Sequence, residues 1–142
     1  MLLREQLTSA DVMTIDPVAV AADATIEEAE DLIRRYRISG LPVTDTNGAL
    51  VGVISQTDFV HLANPEVARL IHNKTRGIRV GEVMSRPPVT VDLGTPLIEA
   101  ARVMVTENIH RVVVVGGGQR PIGVLSAMDF VNLYATEPEL SL

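Results

Sequence analysis

Two short runs carry the side chains best suited to hold a ligand. Ser55-x-x-Asp58 and Ser126-x-x-Asp129 each set a hydroxyl three residues ahead of a carboxylate. That spacing opens a helix, with serine as the cap and the carboxylate in the first turn beside unpaired N–H groups. The same two groups can also meet a ligand, and the pattern leaves both uses open. Arg111 is the strong cation that enters a run of valines, which suits an anion, and His110 beside it is a candidate donor. His61, His72 and His110 stand too far apart for a metal-ligand spacing, so no metal site is expected. With no cysteine there is no thiol nucleophile, thiolate zinc site or disulfide framework. No serine stands next to a plausible histidine base and no carboxylate pair is clustered, so catalysis is not expected. Gly116-Gly117-Gly118 lacks the Lys-Ser/Thr that completes a phosphate loop and reads as a hairpin turn.

These residues come in pairs because the chain is written twice. At an offset of 71 residues, Val12-Met13 falls on Val83-Met84 and Pro17-Val18-x-Val20 on Pro88-Val89-x-Val91. Glu28-Ala29, Ile38 and Val43 fall on Glu99-Ala100, Ile109 and Val114. The segment from Gly52 through Ser55 and Asp58 to Leu62 falls on that from Gly123 to Leu133. Residues 12–62 hold 16 identities in 51 positions without a gap, which marks a duplication.

Each copy spells the same elements. A short strand at Val18–Val20 or Val89–Val91 follows a proline. Thr25-x-x-Glu28 is a capping box for a helix through Tyr36, and Thr95-Pro96 opens its counterpart with proline at the first helical position. Hairpins follow: Leu41–Thr44 with Val51–Ile54, and Val112–Val115 with Ile122–Leu125. The two serines then start the closing helices. A linker helix from Asn64-Pro65-Glu66 to about Asn73 and a loop at Thr75–Arg79 join the copies. The expected class is α+β, two β-α-β-β-α units: residues 1–66, a linker at 67–79, residues 80–136, and a tail at 137–142. A unit that small has a thin core, so the copies are expected to pair about a pseudo-twofold axis with a cleft between them.

Composition narrows the function. The 142 residues are 46% hydrophobic and 21% charged, an ordinary globular balance that excludes a disordered chain. The 20 valines lean towards strands. Net charge −6 argues against bulk nucleic-acid binding, and four aromatics are too few for base-stacking platforms. The first 71 residues carry five basic against eleven acidic side chains and the last 71 carry seven of each, so an anion site would draw its charge from the second half. No apolar run is long enough to span a membrane and Met1–Arg4 opens no signal peptide. A cytoplasmic location is the expectation.

Taken together these motifs resemble a tandem cystathionine-β-synthase (CBS) domain pair, a Bateman module. The resemblance rests on Val12-Met13 with Pro17, Gly40-Leu41-Pro42-Val43 and Gly52-Val53-Ile54-Ser55-x-x-Asp58. The second copy offers Val83-Met84 with Pro88, Ile109-His110-Arg111-Val112-Val113-Val114 and Gly123-Val124-Leu125-Ser126-x-x-Asp129. It covers about residues 10–135 and resembles a free-standing pair. It implies that the Gly-x-x-Ser-x-x-Asp segments hold an adenine nucleotide, AMP, ADP or ATP. Glycine admits close approach, the serine corner favours phosphate, and the aspartate accepts from a ribose diol. By resemblance, one site joins Ser55 and Asp58 to Ile109, His110 and Arg111, and the other joins Ser126 and Asp129 to Ile38, Ser39 and Gly40. Val53 and Val124 would cover adenine, while Thr14, Ile15, Ser85 and Arg86 rim the sites. Ser39-Gly40 is uncharged where His110-Arg111 is basic, so unequal affinities are expected.

The resemblance further implies a non-catalytic sensor, a homodimer forming a disc of four CBS units, no required cofactor and an unidentified regulated protein. S-adenosylmethionine or NAD are the alternative ligands. The rival reading is an interaction module that binds no nucleotide, whose helices carrying Leu32, Phe59, Val60, Phe130, Val131, Leu133 and Tyr134 serve to dimerise or to hold another protein.

Overall fold

The computed structural model describes residues 7–71 and 77–136. Along the chain run α1 (Ser9–Val12), β1 (Thr14–Ile15), β2 (Val20–Ala21), α2 (Ile26–Tyr36), β3 (Gly40–Thr44), β4 (Leu50–Ser55), α3 (Gln56–Leu62) and α4 (Pro65–Ile71). They are followed by α5 (Val80–Val83), β5 (Thr90–Asp92), α6 (Leu97–Glu107), β6 (Arg111–Val115), β7 (Pro121–Ser126) and α7 (Ala127–Thr136). Helices and sheets together make the α+β class expected.

The chain divides into two compact units, and the division does not follow the repeats in chain order. The first unit is Val18–Pro88, and the second joins the residues up to Pro17 to those from Val89 onward. The boundaries read from the duplication, 1–66 and 80–136, follow sequence similarity instead. Backbone hydrogen bonds give the reason. In the second unit the leading segment donates from Ser9 to Thr95 and from Ala10 to Leu93, and Leu97 donates back to Leu7. In the first unit the equivalent segment, residues 78–88, is held by Val80 donating to Ala24, Gly81 to Ala22, and Ile26 to Ile78. Each α2- or α6-type helix start is therefore completed by the lead-in of the other repeat.

In the first unit β2, β3 and β4 form one sheet in that order, β2 parallel and β4 antiparallel to β3. In the second the order is β1-β7-β6-β5, with β5 parallel to β6 and β1 antiparallel to β7. The Thr25 hydroxyl accepts from Glu28 N–H at 3.2 Å, half of the expected capping box. Pro96 sits one position before α6, at its cap, rather than inside it; the Thr95 hydroxyl instead accepts from Asp92 N–H at 3.0 Å. Both long helices end alike, with Arg37 and Asn108 left-handed at φ 54° and 55°. Ile38 N–H then donates to Ile33 and Ile109 N–H to Met104, a six-residue closure that aims each chain into its hairpin. The Asp45 carboxylate accepts from the N–H groups of Asn47 and Ala49 and shapes the first hairpin turn. Gly116–Arg120 turns the second, as expected from its glycines. The linker helix runs from Pro65, with Asn64 Oδ1 accepting from Glu66 N–H; its expected end near Asn73, Thr75 and the 137–142 tail lie outside the described residues.

Each unit has its own core. Val20, Ala29, Leu41, Val43, Ile54 and Val80 pack in the first; Leu7, Val91, Leu97, Ala100, Met104, Val112, Val114 and Leu125 in the second. Phe59 and Leu32 pack against the first and Phe130 and Leu133 against the second, so these four face a core and not a partner; the clusters are apolar, held by burial and shape. Among the described residues no helix is long and apolar enough to cross a membrane.

Candidate functional site

Strand alternation sorts the expected site residues onto one sheet face in each unit. On β4, Leu50, Gly52 and Ile54 are buried while Val51, Val53 and Ser55 are half-buried on the opposite face. On β7, Gly123 and Leu125 are buried, and Val124 and Ser126 take the opposite face. Register then adds the neighbours. Gly40 pairs with Ser55, and Arg111 with Ser126. Directly opposed residues rise from the same face, so Arg111 stands beside Ser126. Gln56 N–H donates to the Ser39 carbonyl at 3.2 Å, and Ala127 N–H to that of His110 at 2.8 Å. The strand entrances Ile38–Gly40 and Ile109–Arg111 are thus tied to the helix starts that follow β4 and β7.

The Ser-x-x-Asp corners are closed by the carboxylates themselves. Asp58 Oδ2 accepts from Ser55 N–H at 2.9 Å and from its hydroxyl at 3.4 Å. Asp129 Oδ2 accepts from Ser126 N–H at 2.8 Å, and the Ser126 hydroxyl accepts from Asp129 N–H at 3.2 Å. The helix-start role is therefore real at both corners. The second oxygen differs. Asp58 Oδ1 accepts from the Ser85 hydroxyl at 2.9 Å, whereas Asp129 Oδ1 accepts nothing from the described residues. Asp58 is buried at 6% exposure and Asp129 is half-buried.

Two glycines let the lead-in segments lie against these strands. A Cβ on Gly52 would stand 2.5 Å from Met84 Sδ and 2.9 Å from the Ser85 carbonyl oxygen. On Gly123 it would stand 2.4 Å from Met13 Sδ and 3.0 Å from the Thr14 carbonyl oxygen. Real side chains do not fit at such distances, so only glycine admits the bridge of Ser85 to Val53 and the pairing of Thr14 with Val124. The Val-Met pairs were visible in the repeat, but their packing on the motif glycines was not foreseen. Nor was the Ser85–Asp58 bond, for which the sequence offers no signal beyond the position of Ser85 at the rim.

The first unit thus brings together Ile38, Ser39, Gly40, Val53, Ser55, Asp58 and Ser85, with Arg86 exposed just beyond. The second brings together Thr14, Ile109, His110, Arg111, Val124, Ser126 and Asp129, with Ile15 exposed beside Gly123. The sets expected from the resemblance draw on both units; within a unit, register joins Ser126 to Arg111 and Ser55 to Gly40. The two faces differ in charge accordingly. Burial pushes the Arg111 guanidinium below its ordinary value, because the cation has lost part of its water. It remains charged, and a partly dehydrated cation gains more from an anion than a fully hydrated one does. Among the described residues no group of three or more His, Asp or Glu is placed to hold a metal ion.

Known proteins share this fold. The structure of CBSX2 in complex with AMP is 33% identical, with a TM-score of 0.80, covering 91% of this chain and 96% of that one. The CBS domain pair of protein MJ0100, in complex with 5′-methylthioadenosine and S-adenosyl-L-methionine, is 25% identical with a TM-score of 0.76, covering 90% and 99%. Inosine-5′-monophosphate dehydrogenase of Mycobacterium tuberculosis is 34% identical over 121 residues, 84% of this chain. The chain spans only 21% of that relative's length. The CBS domain family matches twice, at residues 9–64 and 80–136. With most of its length inside those two matches, the chain belongs to the CBS domain family and carries the domain as a tandem pair.

Proposed function

We propose that this protein is a non-catalytic regulatory module that binds an adenine nucleotide, AMP, ADP or ATP, and passes its occupancy to another protein. The observation that carries the reading is the corner of the second unit. There Asp129 presents a carboxylate oxygen that accepts nothing from the described residues, beside Ser126, and Arg111 stands across from that serine. An acceptor for a diol and a partly dehydrated cation for a phosphate, set on one face, fit a ribose phosphate. The likeness to CBSX2, solved with AMP, supports the same ligand class. The likeness to MJ0100 keeps S-adenosylmethionine as the alternative. Regulation follows if the ligand binds two states of the module unequally, a coupling typically about 1–3 kcal/mol. That the dehydrogenase relative is matched over a fifth of its length fits an attached regulatory role rather than chemistry. We place the protein in the cytoplasm.

A melting scan tests this directly. Ligand at 100 times its dissociation constant stabilises the protein by about 2.7 kcal/mol. For a chain of this size that raises the midpoint by on the order of 10 °C. AMP, ADP, ATP, S-adenosylmethionine and NAD at millimolar concentration are the panel. Five unmoved midpoints would end the nucleotide reading in favour of an interaction module.

Association is favoured in either case. Val60 on α3, and Met128, Val131 and Tyr134 on α7, are 68%, 61%, 56% and 59% exposed. Large apolar side chains at successive helical turns suit a second copy of the chain. Sedimentation velocity should return the mass of a dimer, and a monomer at tens of micromolar would contradict it.

A further inference from the structure

The two corners are built from the same motif, yet one carboxylate is already spoken for. Ser85 is pinned to β4 by a reciprocal pair: its N–H donates to Val53 and its carbonyl accepts from Val53. Gly52 leaves room for that approach. From this fixed position the Ser85 hydroxyl donates to Asp58 Oδ1 at 2.9 Å, while Oδ2 holds the Ser55 N–H. Both oxygens of a nearly buried carboxylate are engaged within the chain. In the second unit the residue equivalent to Ser85 at the repeat offset is Thr14, paired with Val124 on the same kind of ladder. Its hydroxyl makes no bond to Asp129 among the described residues, and Asp129 Oδ1 stays open. The β-branched threonine is restricted at χ1, whereas serine can turn its hydroxyl onto the acid.

We propose that Ser85 is an internal latch on Asp58, so that the Asp129 corner takes the first nucleotide and the Asp58 corner fills only when the hydroxyl lets go. The latch rests on the nucleotide reading above and adds an order of filling to it. A ribose diol arriving at Asp58 competes with a donor that is already in place. At Asp129 the diol meets an acceptor oxygen with no donor to displace among the described residues. Removing the latch does more than clear space: it leaves a buried carboxylate oxygen without a donor, which the ligand's hydroxyl then supplies.

Calorimetric titration of the full chain with AMP tests this. The wild type should show two unequal events, and Asp129→Ala should weaken the stronger. Ser85→Ala should strengthen the weaker event about tenfold, the usual worth of one hydrogen bond to a charged group. The stronger event should persist. Because the Ser85–Val53 bridge is all backbone, the variant retains its fold, and its ligand-free melting midpoint checks this; should it fail to fold, the wild-type and Asp129→Ala titrations still decide the order of filling. Two events of equal affinity, loss of the weaker event in Asp129→Ala with the stronger intact, or a Ser85→Ala weaker event like wild type, would overturn the latch and leave the nucleotide reading standing. No heat with AMP, ADP, ATP, S-adenosylmethionine or NAD in any variant would overturn both.

Discussion

Ile54→Ala and Leu125→Ala each destabilise the protein by about 2–5 kcal/mol, a fall in melting midpoint of roughly 8–20 °C. The two residues are equivalent in the repeat and both are fully buried in apolar clusters. A cavity lined by apolar side chains adds to the transfer cost of the lost atoms. The informative experiment couples Ile54 to Val80. In chain order Val80 belongs to the second repeat, but α5 packs on β2 and β4, and Val80 is fully buried in the cluster that holds Ile54. A double-mutant cycle of Ile54→Ala with Val80→Ala should therefore give an interaction energy on the order of 0.5–3 kcal/mol. Simple additivity would mean that the compact units follow the repeats in chain order after all. Chemical denaturation with matched slopes is the measurement, since a change in slope would signal a broken two-state transition instead.

That crossing of the lead-in segments is what the sequence concealed. The elements themselves were legible because each has a local cause. Thr25 marks a helix start, the Asp45–Gly48 turn marks a hairpin, and alternation from Leu50 to Ile54 marks a half-buried strand. Duplication doubled every signal and made the class readable from one chain. Partnership between segments has no such local mark. Ser9–Val12 and Val80–Val83 are single helical turns, too short for periodicity to register. Which repeat they complete is settled by backbone hydrogen bonds such as Ala10 to Leu93 and Val80 to Ala24, to which side-chain pattern is blind. The site shows the same split. The Ser-x-x-Asp corners and Arg111 stood out by residue type. Their inequality in charge was expected from Ser39-Gly40 against His110-Arg111, but the inequality of the two carboxylates was not, because it depends on where the Ser85 hydroxyl points.

That inequality sets the terms for the largest effect on binding. Asp129→Ala should weaken AMP at its stronger site by about ten- to a hundredfold, since hydrogen bonds to a charged group are each worth about 1.5–3 kcal/mol. Adenosine should lose as much, because the acid addresses the sugar and not the phosphate. Arg111→Ala should cost AMP a similar factor and leave adenosine nearly untouched, because the guanidinium addresses only the charge. Arg111→Lys restores the charge without the planar fork and should recover part of the loss. Asp129→Asn keeps an oxygen to accept from Ser126 N–H, so the start of α7 survives and any remaining loss belongs to the ligand. Affinities of AMP and adenosine for the four variants thus form a crossed pattern, sugar on one axis and phosphate on the other. If both ligands fell equally in Arg111→Ala, the guanidinium would be shaping the strand and not reading a phosphate. If neither fell in Asp129→Ala, the carboxylate would be a helix cap and nothing more, and the corner of the second unit would have to give up its ribose.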